Sequence, residues 1–169
     1  MRTRHASIAA SLIWLSSHVS PLAAQNLDQQ IAQCSSVGAQ PAPSARVTAC
    51  TALIRSGRLD PLALAQARHN RGNAYRAQRA FARAIADYDE ALRLSPENAM
   101  AYADRGVAYA NQGDHRRAIV DYSEAIRLNP RDQGFYRLRA LAHYQLGDRA
   151  RSDADNAEAT RLWVATLPR

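Results

Sequence analysis

Two consecutive stretches of this 169-residue chain say nearly the same thing at an offset of about 34 residues. Ala65 to Asn98 contains Arg71-Gly72-Asn73-Ala74-Tyr75, then Ala84-Ile85-Ala86-Asp87-Tyr88-Asp89-Glu90-Ala91-Leu92-Arg93-Leu94-Ser95-Pro96. Ala99 to Asp132 answers with Arg105-Gly106-Val107-Ala108-Tyr109, then Ala118-Ile119-Val120-Asp121-Tyr122-Ser123-Glu124-Ala125-Ile126-Arg127-Leu128-Asn129-Pro130. About half the positions of the two stretches are identical. A period of this length, with each unit reading as two short amphipathic helices, marks a solenoid of helical hairpins rather than a catalytic domain. Binding is therefore the first functional question.

The recurring residues are packing residues. Gly72 and Tyr75, then Gly106 and Tyr109, place a small residue and an aromatic on the first helix of each unit. Ala84, Tyr88 and Ala91, then Ala118, Tyr122 and Ala125, set small residues around an aromatic on the second, and Pro96 or Pro130 closes the unit. Small residues let helices approach closely, aromatics fill the holes, and proline stops a helix that must turn back. This pattern resembles the tetratricopeptide repeat family, in an exported bacterial form. The resemblance implies an all-α fold, a right-handed superhelical solenoid of antiparallel hairpins. The family's usual first-helix aromatic is Arg68 in one unit and Tyr102 in the next, and its usual Leu before the glycine is Arg71 and Arg105. Those departures bear on the surface more than on the fold.

A weaker third copy runs from Gln133 to Thr166. Tyr136, Arg139, Ala140, Gly147, Asp148, Asp155 and Glu158 keep the register, but Ser152, Asp153 and Asn156 stand where Ala118, Ile119 and Tyr122 stood, and Val164 replaces the proline. A terminal repeat needs a polar outer face because nothing stacks on it, so this unit reads as a cap. One period before Ala84 and Tyr88 lie Cys50 and Ile54, with Gly57 ending a helix and Asp60-Pro61 opening the next. The expected organisation is a segment 1–24, an N-terminal hairpin over 25–60 and a repeat domain over 61–169, with units near 65–98, 99–132 and 133–166.

Residues 1–24 belong to targeting. Arg2, Arg4 and His5 make a basic start, Ala6 to Leu15 is a short apolar stretch, and Pro21-Leu22-Ala23-Ala24 gives a small-residue exit before Gln25. That is the layout of a secretory signal peptide, with cleavage expected after Ala24 and a periplasmic or secreted destination. No apolar run is long enough to span a membrane once the signal is removed. In an oxidising compartment Cys34 and Cys50 become a disulfide candidate. Asn26–Cys34 and Ala45–Ser56 read as two antiparallel helices that bring the thiols together, with Val47, Cys50, Leu53 and Ile54 facing inward and a loop over 35–44. Closing a loop of this size is worth about 3 kcal/mol in the chain-entropy account.

Catalytic chemistry finds few footholds. All the basic positions other than histidine are Arg, which excludes lysine Schiff-base chemistry and a lysine-bearing phosphate loop. His69, His115 and His143 lack a metal-ligand spacing and read as surface or rim residues. Asp87, Asp89 and Glu90 look like an acid/base cluster, yet two of the three recur, as Asp121 with Glu124 and Asp155 with Glu158. Residues repeated with the unit serve the unit. Glu90/Arg93, Glu124/Arg127 and Glu158/Arg161 are helical i,i+3 pairs. Arg71 with Asp87, Arg105 with Asp121, and Arg139 with Asp155 are expected to link the two helices of each hairpin. The reading is a non-enzymatic protein that needs no metal or cofactor. The net charge of +7 comes with few aromatics and with Arg alternating with carboxylates, so nucleic acid is not the expected partner.

What remains is a groove. In the resembled family the first helices line a concave surface that takes a peptide. By resemblance its residues here are Gln66, His69, Asn73 and Arg76, then Met100, Ala103, Val107, Ala110 and Asn111, then Arg137, Leu141, Tyr144 and Gln145. Family members that bind chaperone tails clamp a terminal carboxylate with Lys, Asn and Arg. The corresponding positions here are His69, Asn73, Asp104, Gly134 and Leu138, of which only Asn73 matches. The expected function is a protein-interaction module of the cell envelope, its partner a peptide or protein segment with apolar side chains and an acidic group. The alternative is a structural subunit that self-associates in an envelope assembly.

Overall fold

The computed structural model describes residues 21–35 and 42–166. Most of the expected signal peptide, residues 1–20, lies outside the described residues, as does most of the loop after Ser35. Eight helices and no strand occur among the described residues: α1 Pro21–Ser35, α2 Pro43–Arg55, α3 Pro61–Ala77, α4 Phe81–Leu94, α5 Ala99–Asn111, α6 His115–Leu128, α7 Gln133–Gln145 and α8 Arg149–Val164. Helix α1 starts five residues before the expected Asn26, so the proposed cleavage point falls inside it. None of these helices is long and apolar enough to cross a membrane.

Short polar residues start most of the helices. The carboxylates of Asp60, Asp114 and Asp148 each accept a hydrogen bond from the backbone N–H three residues on, at 2.8, 3.0 and 3.1 Å. Asn98 caps α5 in the same way at 3.1 Å, satisfying donors that the helix itself leaves free. Helices α4 and α6 stop at Ser95 and Asn129, whose backbones are extended (φ −140° and −138°), because Pro96 and Pro130 disfavour a helical residue before them. Gly113 and Gly147, at φ +82° and +80°, turn the chain between the two helices of the second and third units.

Each hairpin packs its two helices together, and each second helix packs on the first helix of the following unit. Successive odd-numbered helices also touch one another, whereas successive even-numbered helices do not. The odd row is thus the tighter one, and the stack curves around it. The core follows the stacking. Ala84 and Tyr88 pack against Ala108 of the next unit, and Ala118 and Tyr122 against Ala142 of the one after. Gly72 and Gly106 make this possible: a Cβ on either would lie 2.6 Å from Cε1 of the Tyr88 or Tyr122 ring.

In the first hairpin Cys34 and Cys50 form a disulfide with their Cα atoms 4.9 Å apart. Both are buried with Ala49, Leu53 and Ala67, while Ile54 packs at the edge of this cluster; Val47, expected inward, is only half-buried. In α8 the buried residues are Ser152, Asp155 and Ala159, while Asp153 and Asn156 are exposed. The exposed residues of α8 are mostly polar along its length, with Trp163 and Val164 exposed at its end.

Candidate functional site

The odd helices present the concave face. Of the residues assigned to it, Gln66, Met100, Asn111, Arg137, Leu141, Tyr144 and Gln145 are exposed, and Asn73, Arg76, Val107 and Ala110 are half-buried. Two are not available to a partner. Ala103 is buried with Ala125 and Phe135 between α5, α6 and α7, because a small residue is what lets these helices close up. His69 is also buried, and so is His143, which corrects the surface placement of both; His115 is half-buried.

The burial of His69 is explained by a partner one unit away. Its Nε2 lies 2.8 Å from Oδ2 of Asp104, on α5. Arg76 reaches the other oxygen of Asp104 at 3.4 Å. Asn73 stands between, its Nδ2 3.4 Å from His69 Nε2 and its Oδ1 accepting the Tyr88 hydroxyl at 2.7 Å. Burial, with the nearby Asp104 charge, pushes the Tyr88 phenol far above its ordinary range, so it stays a neutral donor. His69, Asn73, Arg76, Tyr88 and Asp104 thus form one network between the first two full units, in which Nδ1 of His69 and Nε of Arg76 are left without a partner. Asn73, the single match to the carboxylate clamp, spends its side chain there.

A second set of polar residues links hairpins along the flank. Arg71, Arg105 and Arg139 each make bidentate bonds to Asp87, Asp121 and Asp155, with N–O distances between 2.7 and 2.9 Å. The expected intra-hairpin pairs thus form. The same arginines also reach backward through Nη1: to Thr51 at 3.1 Å, to Asp89 at 2.6 Å and to Ser123 at 3.0 Å. Each joins its own second helix to that of the preceding hairpin, using the fork that only a guanidinium offers. The hydrogen bonds they donate to Asp87, Asp121 and Asp155 hold the three arginines above their ordinary pKa. Burial pushes the Asp121 carboxyl up against the opposing pull of Arg105. The backward contacts of Arg105 and Arg139 share one spacing of 16 residues, a signal the sequence carries but that the hairpin reading overlooks.

Further along the concave face, α5, α6 and α7 enclose a cleft of about 190 Å³. Ala110, Leu138, Leu141 and Ala142 line its apolar side, with Asn111, His115, Tyr122 and Gln145 as its polar groups. Leu141 and Tyr144 are 57% and 56% exposed, and Met100 is 51% exposed on α5. No group of His, Cys, Asp and Glu among the described residues could hold a metal.

Two family models match this region: one for the TPR repeat over residues 72–113 and one for the tetratricopeptide repeat over 99–132. The two central hairpins carry tetratricopeptide repeats. Solved structures extend the likeness to most of the chain. A crystal structure of MamA protein superposes with a TM-score of 0.74 at 21% identity, over 88% of this chain and 81% of that one. MamA 41-end from Desulfovibrio magneticus RS-1 gives 0.68 at 14% identity, over 87% and 73%. The second TPR of Spaghetti (RPAP3), solved bound to the HSP90 peptide SRMEEVD, gives 0.56 at 26% identity, over 58% of this chain and 91% of that one. These likenesses make the fold a solenoid of the tetratricopeptide kind. Comparison with curated proteins returned no match.

Proposed function

We infer that this chain is a non-enzymatic interaction module of the cell envelope that holds a peptide or protein segment against its concave face. The observation that carries this reading is that Met100, Leu141 and Tyr144 are each more than half exposed on the first helices of the second and third units, whose other apolar residues are largely covered. Leu141 and Tyr144 are three residues apart on α7 and so neighbours on its surface, and grouped exposed apolar side chains mark interaction sites. The peptide bound by the TPR of Spaghetti supports a segment as the ligand class. Arg137, exposed on α7 one turn before Leu141, suits an acidic group on that segment. The lack of most clamp residues argues against a chaperone tail. An envelope location is supported by the signal-like start, and the Cys34–Cys50 disulfide is compatible with it.

A photo-crosslinking amino acid at Tyr144, with Val120 on α6 as the control, tests the groove in the native cell. Adducts at Tyr144 that disappear on Leu141→Glu, with none at Val120, are expected. Equal labelling from both positions would remove the groove from consideration. Mass analysis of the purified mature protein tests the location: it should begin at Gln25 and carry two cysteines that resist alkylation until reduced.

Self-association is the second reading, favoured by Trp163 and Val164, 46% and 53% exposed on α8. A monomeric mass in solution across micromolar concentrations would end it.

A further inference from the structure

The two inter-unit tyrosines, Tyr88 and Tyr122, occupy the same place in successive repeats, with the same glycine under the ring. Their hydroxyls end differently. Tyr88 donates to Asn73. The residue in register with Asn73 is Val107, whose side chain offers no acceptor, and the Tyr122 hydroxyl makes no hydrogen bond to the protein; the residue is 2% exposed, and its hydroxyl keeps a trace of solvent access. Its ring borders the cleft between α5 and α7. A buried polar atom of the same lining is unserved: Nδ1 of His115 has no partner. A buried polar atom without a partner costs free energy that a ligand can recover, and a hydroxyl open to the cleft is free to donate to that ligand.

We propose that this cleft is an anchor pocket for one side chain of the bound segment, a neutral side chain with an apolar stem and a carboxamide tip, Gln or Asn. The proposal rests on the groove reading and names what the groove selects. The apolar side of the cleft, Leu138, Leu141 and Ala142, suits a methylene stem. At its polar end the Tyr122 phenol, which burial keeps protonated, donates to a carbonyl oxygen. Asn111 commits its amide N–H to the Val107 carbonyl at 2.8 Å, which leaves its own carbonyl oxygen to accept from a ligand amide. A carboxamide offers both a carbonyl and an N–H, so it answers both. The lining holds no Asp, Glu or Arg, so a charged tip would lose its hydration without a fixed counter-charge. In the first full unit the matching hydroxyl is already taken, because Asn73 accepts it from Tyr88. Anchoring one side chain in this cleft sets the register of the segment.

Panning the full mature chain against a phage-displayed library of random heptapeptides tests this, followed by binding measurements on a selected peptide and its single-position variants. Selected sequences should share Gln or Asn at one position, and replacing that residue by Leu should weaken binding about fivefold, the worth of one satisfied hydrogen bond. Tyr122→Phe keeps the ring over Gly106, so it should fold with the wild-type urea midpoint while binding the Gln and Leu peptides equally. Tyr88→Phe should keep the preference. Peptides that bind with no such preference, or with one that survives Tyr122→Phe, would overturn the pocket while leaving the groove reading intact. Selection of Glu instead would overturn the neutral tip and make His115 the counter-charge. Failure to select any peptide would sink both readings.

Discussion

At the scale of single residues the molecule contains its own controls, because each position is presented up to three times. Gly72 lies under Tyr88 and Gly106 under Tyr122, each with room for a hydrogen and none for a methyl. In the third unit the register places Ala140 and Asn156 at these positions. Where the ring is absent the glycine is absent too, and Ala140 is buried without conflict. Glycine is therefore retained in the first two units against its helix cost of about 1 kcal/mol, because the ring needs the space. Gly106→Ala should lower stability by about 1–2 kcal/mol despite the gain in helix propensity, since a buried ring cannot move aside freely. Urea unfolding measures it. A midpoint above wild type would mean that the close approach at Gly106 does not constrain the protein.

At the scale of helices and turns, the same comparison picks out a weak joint. The turn between the two helices of a unit reads Gln112-Gly113-Asp114 in the second unit and Leu146-Gly147-Asp148 in the third, but Gln78-Arg79-Ala80 in the first. Glycine takes the left-handed backbone and aspartate caps the following helix. In the first unit Arg79 is held at φ 59°, and Ala80 supplies no side-chain cap to α4. Left-handed backbone strains a residue with a Cβ, and a missing cap costs about 1 kcal/mol. The double change Arg79→Gly with Ala80→Asp should raise stability by about 1–2 kcal/mol, read as an upward shift in the urea midpoint with unchanged helical circular dichroism. No change, or a fall, would show that α4 is held by packing alone.

These joints also mark what could be read without coordinates. Helices, turns and the Arg–Asp links of each hairpin are legible because each recurs, and recurrence filters noise from a single sequence. The disulfide is legible because the two helices that carry its cysteines are separated by one loop. The network of His69, Asn73, Arg76 and Asp104 is not legible in the same way. It spans two units, and His69 and Asp104 are 35 residues apart, one more than the period of the repeat. Its members are unrepeated, so periodicity treats them as surface, and only the lateral contact of α3 with α5 shows that His69 and Asp104 are burying each other. Among the residues expected to face a partner, Met100, Leu141 and Tyr144 on α5 and α7 are exposed, whereas on α3 His69 is buried and Asn73 and Arg76 bond within the protein.

For the whole molecule, the stacking tyrosines make stability depend on pH at the alkaline end. Burial is the main cause that lifts both Tyr88 and Tyr122 well above the ordinary phenol value of 10.0. In the unfolded chain the same phenols ionise near that ordinary value. A group whose pKa is raised by folding contributes its stabilisation in full below the unfolded value, and loses it as pH climbs toward the folded one. Above pH 10 the unfolded state therefore sheds two protons that the folded state retains. Stability should fall by about 2–3 kcal/mol for each further pH unit, the linkage expected for two groups. Below pH 9 these phenols contribute no slope. The exposed carboxylates Asp114, Glu124 and Glu158, held below their ordinary values by hydrogen bonds from Arg117, Arg127 and Arg161, act at the opposite end, where stability is lost as pH falls. Urea midpoints at pH 8, 10 and 11 should show the alkaline fall in the wild type and a much shallower one in the double variant Tyr88→Phe, Tyr122→Phe. Equal alkaline slopes in the two proteins would mean that these rings reach solvent in the folded state, and that the stacked interfaces between hairpins are looser than their packing implies.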